Sequence, residues 1–239
     1  LEMNAAIEVT NLKYRYHDGS EALRGVGFSV MPGERVGVLG PNGSGKSTLL
    51  KILDGLVYPQ KGSVRAFGSE LSEGALANGA FRKGFRTAVG LVFQDADIQC
   101  FSPTVRDELA FGPRQKGLGE NEVARRVDAA LAALGIEALA ERYPYRLSGG
   151  EKKRVALASI LTMDLEAYLL DEPTANLDPS TEGTLIDILI ELAGYGKTLV
   201  VATQDLMLAR HIGDVAVVLG RERRPLYVGP AGRALDDAA

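Results

Sequence analysis

The stretch Gly40-Pro41-Asn42-Gly43-Ser44-Gly45-Lys46-Ser47-Thr48 constrains the fold more than any other part of the chain. It fits G-x-x-x-x-G-K-[ST], a pattern whose backbone cradles the phosphates of a nucleoside triphosphate. The apolar run Arg35-Val36-Gly37-Val38-Leu39 before it reads as a buried parallel strand, and Thr48-Leu49-Leu50-Lys51-Ile52-Leu53 after it as a helix. Glycines between them remove Cβ atoms, so the backbone can wrap closely around an anion. Successive N–H groups, Asn42 to Thr48, then point inward at a helix start whose dipole favours phosphate. Lys46 is placed to reach the β- and γ-phosphates, and the Ser47 hydroxyl to ligate Mg²⁺.

Such a loop needs a parallel sheet around it, and the chain supplies the strands. Ala88-Val89-Gly90-Leu91-Val92-Phe93, Ala167-Tyr168-Leu169-Leu170-Asp171-Glu172 and Lys197-Thr198-Leu199-Val200-Val201-Ala202-Thr203 are near-continuous apolar runs. Runs of this length read as fully buried strands. Val215-Ala216-Val217-Val218-Leu219 and Leu226-Tyr227-Val228 read as closing strands. Ligands gather at the carboxyl ends of parallel strands. Gln94, the pair Asp171-Glu172 and Gln204-Asp205 stand at such ends. Buried acids are costly unless paired or metal-bound. Asp171 therefore suits a Mg²⁺-organising role, and Glu172, aimed elsewhere, can polarise an attacking water.

Ahead of the loop, Ile7-Glu8-Val9 and Val26-Gly27-Phe28-Ser29-Val30 alternate, and Asp18-Gly19 marks a turn. These read as an antiparallel edge beside the parallel core. Tyr16 either stacks on a purine or merely covers a sheet edge. Residues 69–87 are weakly patterned and give no reading. Ala175-Asn176-Leu177-Asp178-Pro179 is a turn into a helix starting near Ser180.

From 95 to 163 no strand is legible and the period is helical. Thr104 and Asp107 suit a helix start. Glu120 to Leu134 carries Val123, Val127, Ala130, Leu131 and Leu134 on one face, with Gly135 as its stop. A helical insert is expected here. Ile98, Phe101, Val105, Leu109 and Phe111 exceed what one short helix needs for its own core, and are expected to form a docking surface. Ser148 caps a further helix, and Glu151 completes a capping box. Gly149 and Gly150 leave bare N–H groups at that helix start, a second potential anion site. A chain with one phosphate loop and a second bare helix start invites a dimer in which each copy completes the other's site.

The bulk numbers narrow the setting. A formal charge of −4 gives no electrostatic case for nucleic acid or an anionic surface. A single cysteine, Cys100, allows no intrachain disulfide and favours a cytosolic address. No apolar run spans a bilayer, so any membrane role requires other subunits. Leu1-Glu2 ahead of Met3 is expected to be a cloning remnant, and the short C-terminal tail to fray.

Phosphate loop, Gln94, Leu147-Ser148-Gly149-Gly150-Glu151, Asp171-Glu172 and Asp178 resemble, in order and spacing, the ATP-binding cassette (ABC) ATPases. The resemblance covers nearly the whole chain. It implies an α/β fold: a P-loop NTPase core (3–94 and 164–239) with an antiparallel β edge and an inserted helical subdomain (95–163), together one ABC ATPase domain. It implies two ATP molecules in a head-to-tail dimer, each between the phosphate loop of one copy and Ser148-Gly149-Gly150 of the other. Tyr16 matches the adenine-stacking aromatic, Gln94 the glutamine that senses Mg²⁺ and the γ-phosphate, and Asp178 the loop linking the two sites.

Val92 to Val105, Ala110-Phe111-Gly112-Pro113 and Leu147 to Ala158 further resemble the ATPases of energy-coupling factor (ECF) importers of trace metals and vitamins. The absence of a longer C-terminal extension favours the cobalt/nickel branch. Implied partners are a second ATPase copy or paralogue, a transmembrane coupling subunit and a substrate-binding membrane subunit, at the cytoplasmic face of the membrane. One position departs. The family carries a histidine where this chain has Gln204, and His211 lies too far along to substitute. Glutamine can donate to a γ-phosphate oxygen but cannot become cationic. The competing readings are an ATP-binding switch with little hydrolysis, a vitamin-type ECF ATPase, or a soluble cassette acting on DNA or ribosomes, the last disfavoured by the acidic balance.

Overall fold

The computed structural model describes residues 4–236; the expectations for Leu1-Glu2 and the extreme tail lie outside them. In chain order, β1 (Ile7–Arg15), β2 (Glu21–Val30) and β3 (Arg35–Leu39) precede α1 (Lys46–Leu53). Next come β4 (Lys61–Ala66), β5 (Ser69–Glu70), α2 (Glu73–Ala77), α3 (Gly79–Ala88) and β6 (Val89–Val92). Helices α4 (Val105–Lys116), α5 (Glu120–Ala133) and α6 (Gly149–Leu161) separate β6 from β7 (Ala167–Asp171). The chain continues with α7 (Pro179–Gly194), β8 (Thr198–Thr203), α8 (Leu206–Ile212), β9 (Val215–Leu219), β10 (Pro225–Pro230) and α9 (Ala231–Asp236).

The strands form two sheets, ordered β2-β1-β4-β5 and β10-β9-β3-β8-β7-β6. In the second, β9, β3, β8, β7 and β6 run parallel and only β10 is antiparallel. Register pairs Leu39 with Thr203, Asp171 with Ala202 and Val92 with Leu170. The phosphate loop, Gln204, Glu172 and Gln94 therefore leave the same edge of one sheet. The antiparallel strands lie beside that parallel core, as the sequence pattern suggests. They form a sheet of their own, because β1 sits between β2 and β4 with apolar residues facing α1. Ile7, Val9, Leu12, Phe28 and Val30 share a core with Leu49, Leu50 and Ile52 of α1 and with Leu169 and Val200. That packing clamps the phosphate-loop helix between the two sheets.

The 69–87 stretch holds α2 and α3, capped by Ser72 and Asn78. Each helix buries one side chain, Leu76 or Phe85, too few to leave a periodic pattern. In α4 the Thr104 hydroxyl accepts from the Asp107 N–H. Helix α5 buries Val123, Val127, Ala130 and Leu131, and Gly135 follows with φ 60°. Each fully buried Val or Leu contributes roughly 1.5–3 kcal/mol. These helices share one core with Tyr168, Leu170 and Leu199 on the sheet face opposite α1. Of the five apolar residues expected on a docking surface, Val105 and Leu109 are fully buried in that core. Ile98, Phe101 and Phe111 remain exposed. Helical spacing explains the split: 105 and 109 lie one turn apart on the inward face.

Candidate functional site

The loop between β3 and α1 is shaped by what its glycines avoid. At Gly40 (φ 148°) a Cβ would meet Leu219 O at 2.3 Å, and at Gly45 (φ 104°) Ala22 O at 2.3 Å. Gly45 caps α1 without a side-chain bond, so the first-turn N–H groups stay available to an anion. Lys46 is 6% exposed; its Nζ donates to Gly40 O at 2.7 Å and lies 3.3 Å from Glu172 Oε1. The latter is an ion pair whose angles do not make a hydrogen bond. The Tyr16 and Thr48 hydroxyls are 2.8 Å apart, fixing the half-exposed tyrosine ring beside the loop.

These groups wall a pocket of about 410 Å³ together with Gln94, Glu172 and Arg223. Glu172 follows β7 with φ 44°, a left-handed backbone that costs a non-glycine residue roughly 1–3 kcal/mol. Its placement is over-determined. The Glu172 N–H donates to Ala202 O at 2.8 Å, and Oε2 accepts from Thr203 Oγ1 at 3.0 Å and the Gln204 N–H at 3.3 Å. Oε1 is left facing Lys46. Asp171 is buried beside it, and burial raises its carboxyl pKa above the ordinary value; Glu172 adds to this, while the Ser47 hydroxyl and the ammoniums of Lys153 and Lys46 oppose it.

Asp171 Oδ1, Glu172 Oε1 and Ser44 Oγ are buried with no hydrogen-bond partner among the described residues. Unpartnered buried oxygens beside a phosphate loop fit a bound divalent ion, its waters and a polyphosphate. Among the described residues no group of three His, Cys, Asp or Glu is arranged to hold a metal. A hydroxyl and a single carboxylate, completed by nucleotide oxygens and water, are the kind of oxygen set that suits Mg²⁺.

The remaining expected site residues sit elsewhere. Ser148, Gly149 and Gly150 do not line this pocket. They are at the exposed N-terminus of α6, where Ser148 and Glu151 make the reciprocal capping box. Gly149 instead lines a smaller cleft of about 300 Å³ that also reaches Gln94, so Gln94 stands between the two openings. Asp178 caps α7, accepting from Ser180 N at 3.1 Å and Thr181 N at 3.0 Å. Gln204 is exposed and meets the site only through its backbone. His211 is bonded to Met207 O within its own helix. Two residues were given no role by the sequence reading, although Lys153 lies in the Leu147 to Ala158 stretch that carries the family resemblance. Arg223 reaches the pocket from the β9–β10 turn, donating to Gly43 O and Glu21 O, and no local pattern announces it. Lys153 is buried in α6 beside Asp171, and burial lowers its pKa to about 8. Its spacing from Ala156, Leu157 and Ile160, on the inward stripe of α6, is a legible signal.

Fold and pocket together define a nucleoside-triphosphate-binding protein of the P-loop class. The ABC transporter family model matches residues 23–175. The nickel import ATP-binding protein NikO of Rhodobacter capsulatus is 44% identical over 98% of this chain and 92% of that protein. The energy-coupling factor transporter ATP-binding protein EcfA of Methanothermobacter thermautotrophicus is 45% identical over 89% of this chain and 67% of that one. Among solved structures, cbiO1 of Clostridium perfringens, part of the ABC transporter complex cbiONQ, superposes with a TM-score of 0.81. It is 33% identical, over 98% of this chain and 92% of that one. A dimeric ATP-binding cassette in a post-hydrolysis state with ADP and Pi gives 0.85 at 29% identity, over 94% of this chain and 98% of that one. The chain belongs to the ABC transporter family and is an ATPase of that family.

Proposed function

We propose that the chain is the ATP-hydrolysing motor subunit of an ECF-type importer, driving uptake of a trace metal ion, cobalt or nickel, or of a vitamin. One observation carries this reading: over nearly the whole chain it is similar to a nickel import ATP-binding protein and to cbiO1, with the phosphate pocket and the exposed Ser148 helix start left on separate, open surfaces that a second copy could bring together. In that head-to-tail arrangement the amides of Asn42 to Thr48 and the Lys46 ammonium hold the polyphosphate, and Tyr16 stacks on adenine. Ser148, Gly149 and Gly150 of the second copy close the γ-phosphate, with Asp178 linking the two sites. Glu172 accepts the proton of the attacking water, its other oxygen anchored by Thr203. Ser47, Gln94 and Asp171 would hold Mg²⁺, directly or through water. When bound, the ion neutralises charge building on the phosphate oxygens. Gln204 offers the γ-phosphate a neutral donor.

The nucleotide-binding core is 3–94 and 164–239, and the helices of 95–163 form the arm that meets the membrane subunits. Exposed Phe101 and Phe111, in edge-to-face contact at 4.9 Å, border a groove of about 800 Å³ whose other wall carries Arg82 and Arg86. No helix among the described residues is long and apolar enough to cross a membrane. A peripheral position at the cytoplasmic face, held through this groove, follows from the reading. Co-purification of the chain with its membrane subunits, with the bound solute identified, tests it; a chain that recovers no membrane protein contradicts it.

A further inference from the structure

The proposed mechanism uses Gln94, Asp171 and Ser148-Gly149-Gly150 but leaves a buried cation between them unexplained. Lys153 is 2% exposed, on the inward stripe of α6. Its Nζ donates to Phe93 O at 3.0 Å, Gln94 O at 3.2 Å and Asp171 O at 3.3 Å. An ammonium has three donors, and here three carbonyls receive them. Those carbonyls lie on two separate segments, just beyond the last β6–β7 pair, Val92 with Leu170. A buried charge is costly, and a leucine or methionine would fill the same volume without that cost. What an apolar side chain could not do is hold three carbonyls at fixed positions. A second bridge runs alongside it: Gln99 accepts from the Phe93 N–H and donates to Ala156 O. Lys152 adds an ion pair to Asp97 at the surface. Lys153 alone of these side chains reaches both strand ends.

We propose that Lys153 is a positioning residue that locks the helix carrying Ser148-Gly149-Gly150 onto the strand ends that carry Gln94 and Asp171. Its hydrogen bonds go to the backbone carbonyls of both residues, so it sets their placement. The helix start that meets a second copy's nucleotide and the residues that serve this copy's nucleotide thereby move as one body. The inference rests on the roles given to Gln94 and Asp171 in the proposed function.

The test uses the full chain with Lys153→Met, which keeps length and removes every donor, and Lys153→Gln, which keeps two. Lys153→Met should lower kcat about 10–100-fold, the range a small misplacement of catalytic groups produces, while KM for ATP stays within about twofold. Lys153→Gln should recover part of the loss. Amide hydrogen exchange should quicken at 94–97 and 172–175 in the methionine variant. Parental kcat and exchange in Lys153→Met overturn the proposal. So does a loss shared equally by kcat and ATP affinity that glutamine does not relieve, since that is general destabilisation. If the methionine variant does not fold, Lys153→Gln carries the test: a fall in kcat at unchanged KM supports the lock, and parental kcat overturns it. Glu172→Gln is run alongside. Full turnover in that variant would refute the site assignment itself, whereas its loss with a parental Lys153→Met refutes the lock alone.

Discussion

The strand ends around the phosphate loop and the surface around Phe101 treat solvent in opposite ways. At the strand ends, Lys46, Lys153, Asp171 and Glu172 are charged or ionisable and all are buried. Around Phe101, which is 69% exposed, and Phe111, the side chains are aromatic and stand in water. Burying charge is expensive and exposing large aromatics forgoes burial energy, so neither arrangement serves this chain's stability. Carbonyls hold the lysines, and Thr203 and the Gln204 N–H hold one oxygen of Glu172, while Asp171 Oδ1 and Glu172 Oε1 stay unpartnered among the described residues. The aromatics pack edge to face against each other. The difference supports the proposal that the chemistry belongs to the first region and contact with other proteins to the second.

Four substitutions test this division. Glu172→Gln keeps the shape of the strand end and removes the base; turnover should fall about 10²–10⁴-fold with ATP affinity preserved, measured by steady-state kinetics and nucleotide binding. Phe101→Asp should weaken co-purification with the membrane subunits about 30-fold or more, the effect of losing a central aromatic anchor, without changing nucleotide affinity. Equal effects of these two variants on both readouts would erase the contrast.

A third test concerns the far end of α1, where Asp54 is buried against Arg86 at 2.8 Å, one wall of the groove. Burial raises its carboxyl to about 6, with Arg86 opposing, from an ordinary 3.8. Between those values the native state keeps a proton that the unfolded chain has released. This group's contribution to stability is therefore greatest below about pH 4 and declines as pH rises to about 6. Asp54→Asn cannot titrate. Relative to it, the parent should lose about 1–3 kcal/mol between pH 4 and 7 in denaturant unfolding. Parallel pH profiles would mean that Arg86 fully offsets the burial of this acid. The smallest effect is expected at Gln204, whose histidine variant should raise kcat about 5–30-fold with KM little changed, because a protonated imidazole strengthens its bond only as charge develops. An equal or lower kcat contradicts that reading of the position.

The two regions were also unequally legible. The strands at Arg35, Ala88, Ala167 and Lys197 follow from unbroken apolar runs, and parallel pairing then brings their carboxyl ends to one edge. Lys46, Gln94 and Glu172 meet in one pocket for that reason, which is local pattern plus a single topological rule. Arg223 was illegible because a turn residue reaches Gly43 only through tertiary packing. The separate antiparallel sheet was hidden for a similar reason, since alternation in β1 says which face is apolar but not which strand lies beside it. In the docking region the composition of 98–111 revealed an excess of apolar side chains. It did not say that Val105 and Leu109 face inward while Phe101 and Phe111 face out. Helices α2 and α3 bury too little to leave a period at all.

In the proposed dimer the phosphate pocket of one copy is closed by the Ser148 helix start of another. Sedimentation velocity of the Glu172→Gln chain, with and without ATP, tests it most directly, because slowed hydrolysis preserves the ATP-bound form. A dimer that forms only with ATP, and is lost when Ser148→Arg is added, is the expected result. A monomer in saturating ATP, or an ATP-dependent dimer indifferent to Ser148→Arg, would contradict it.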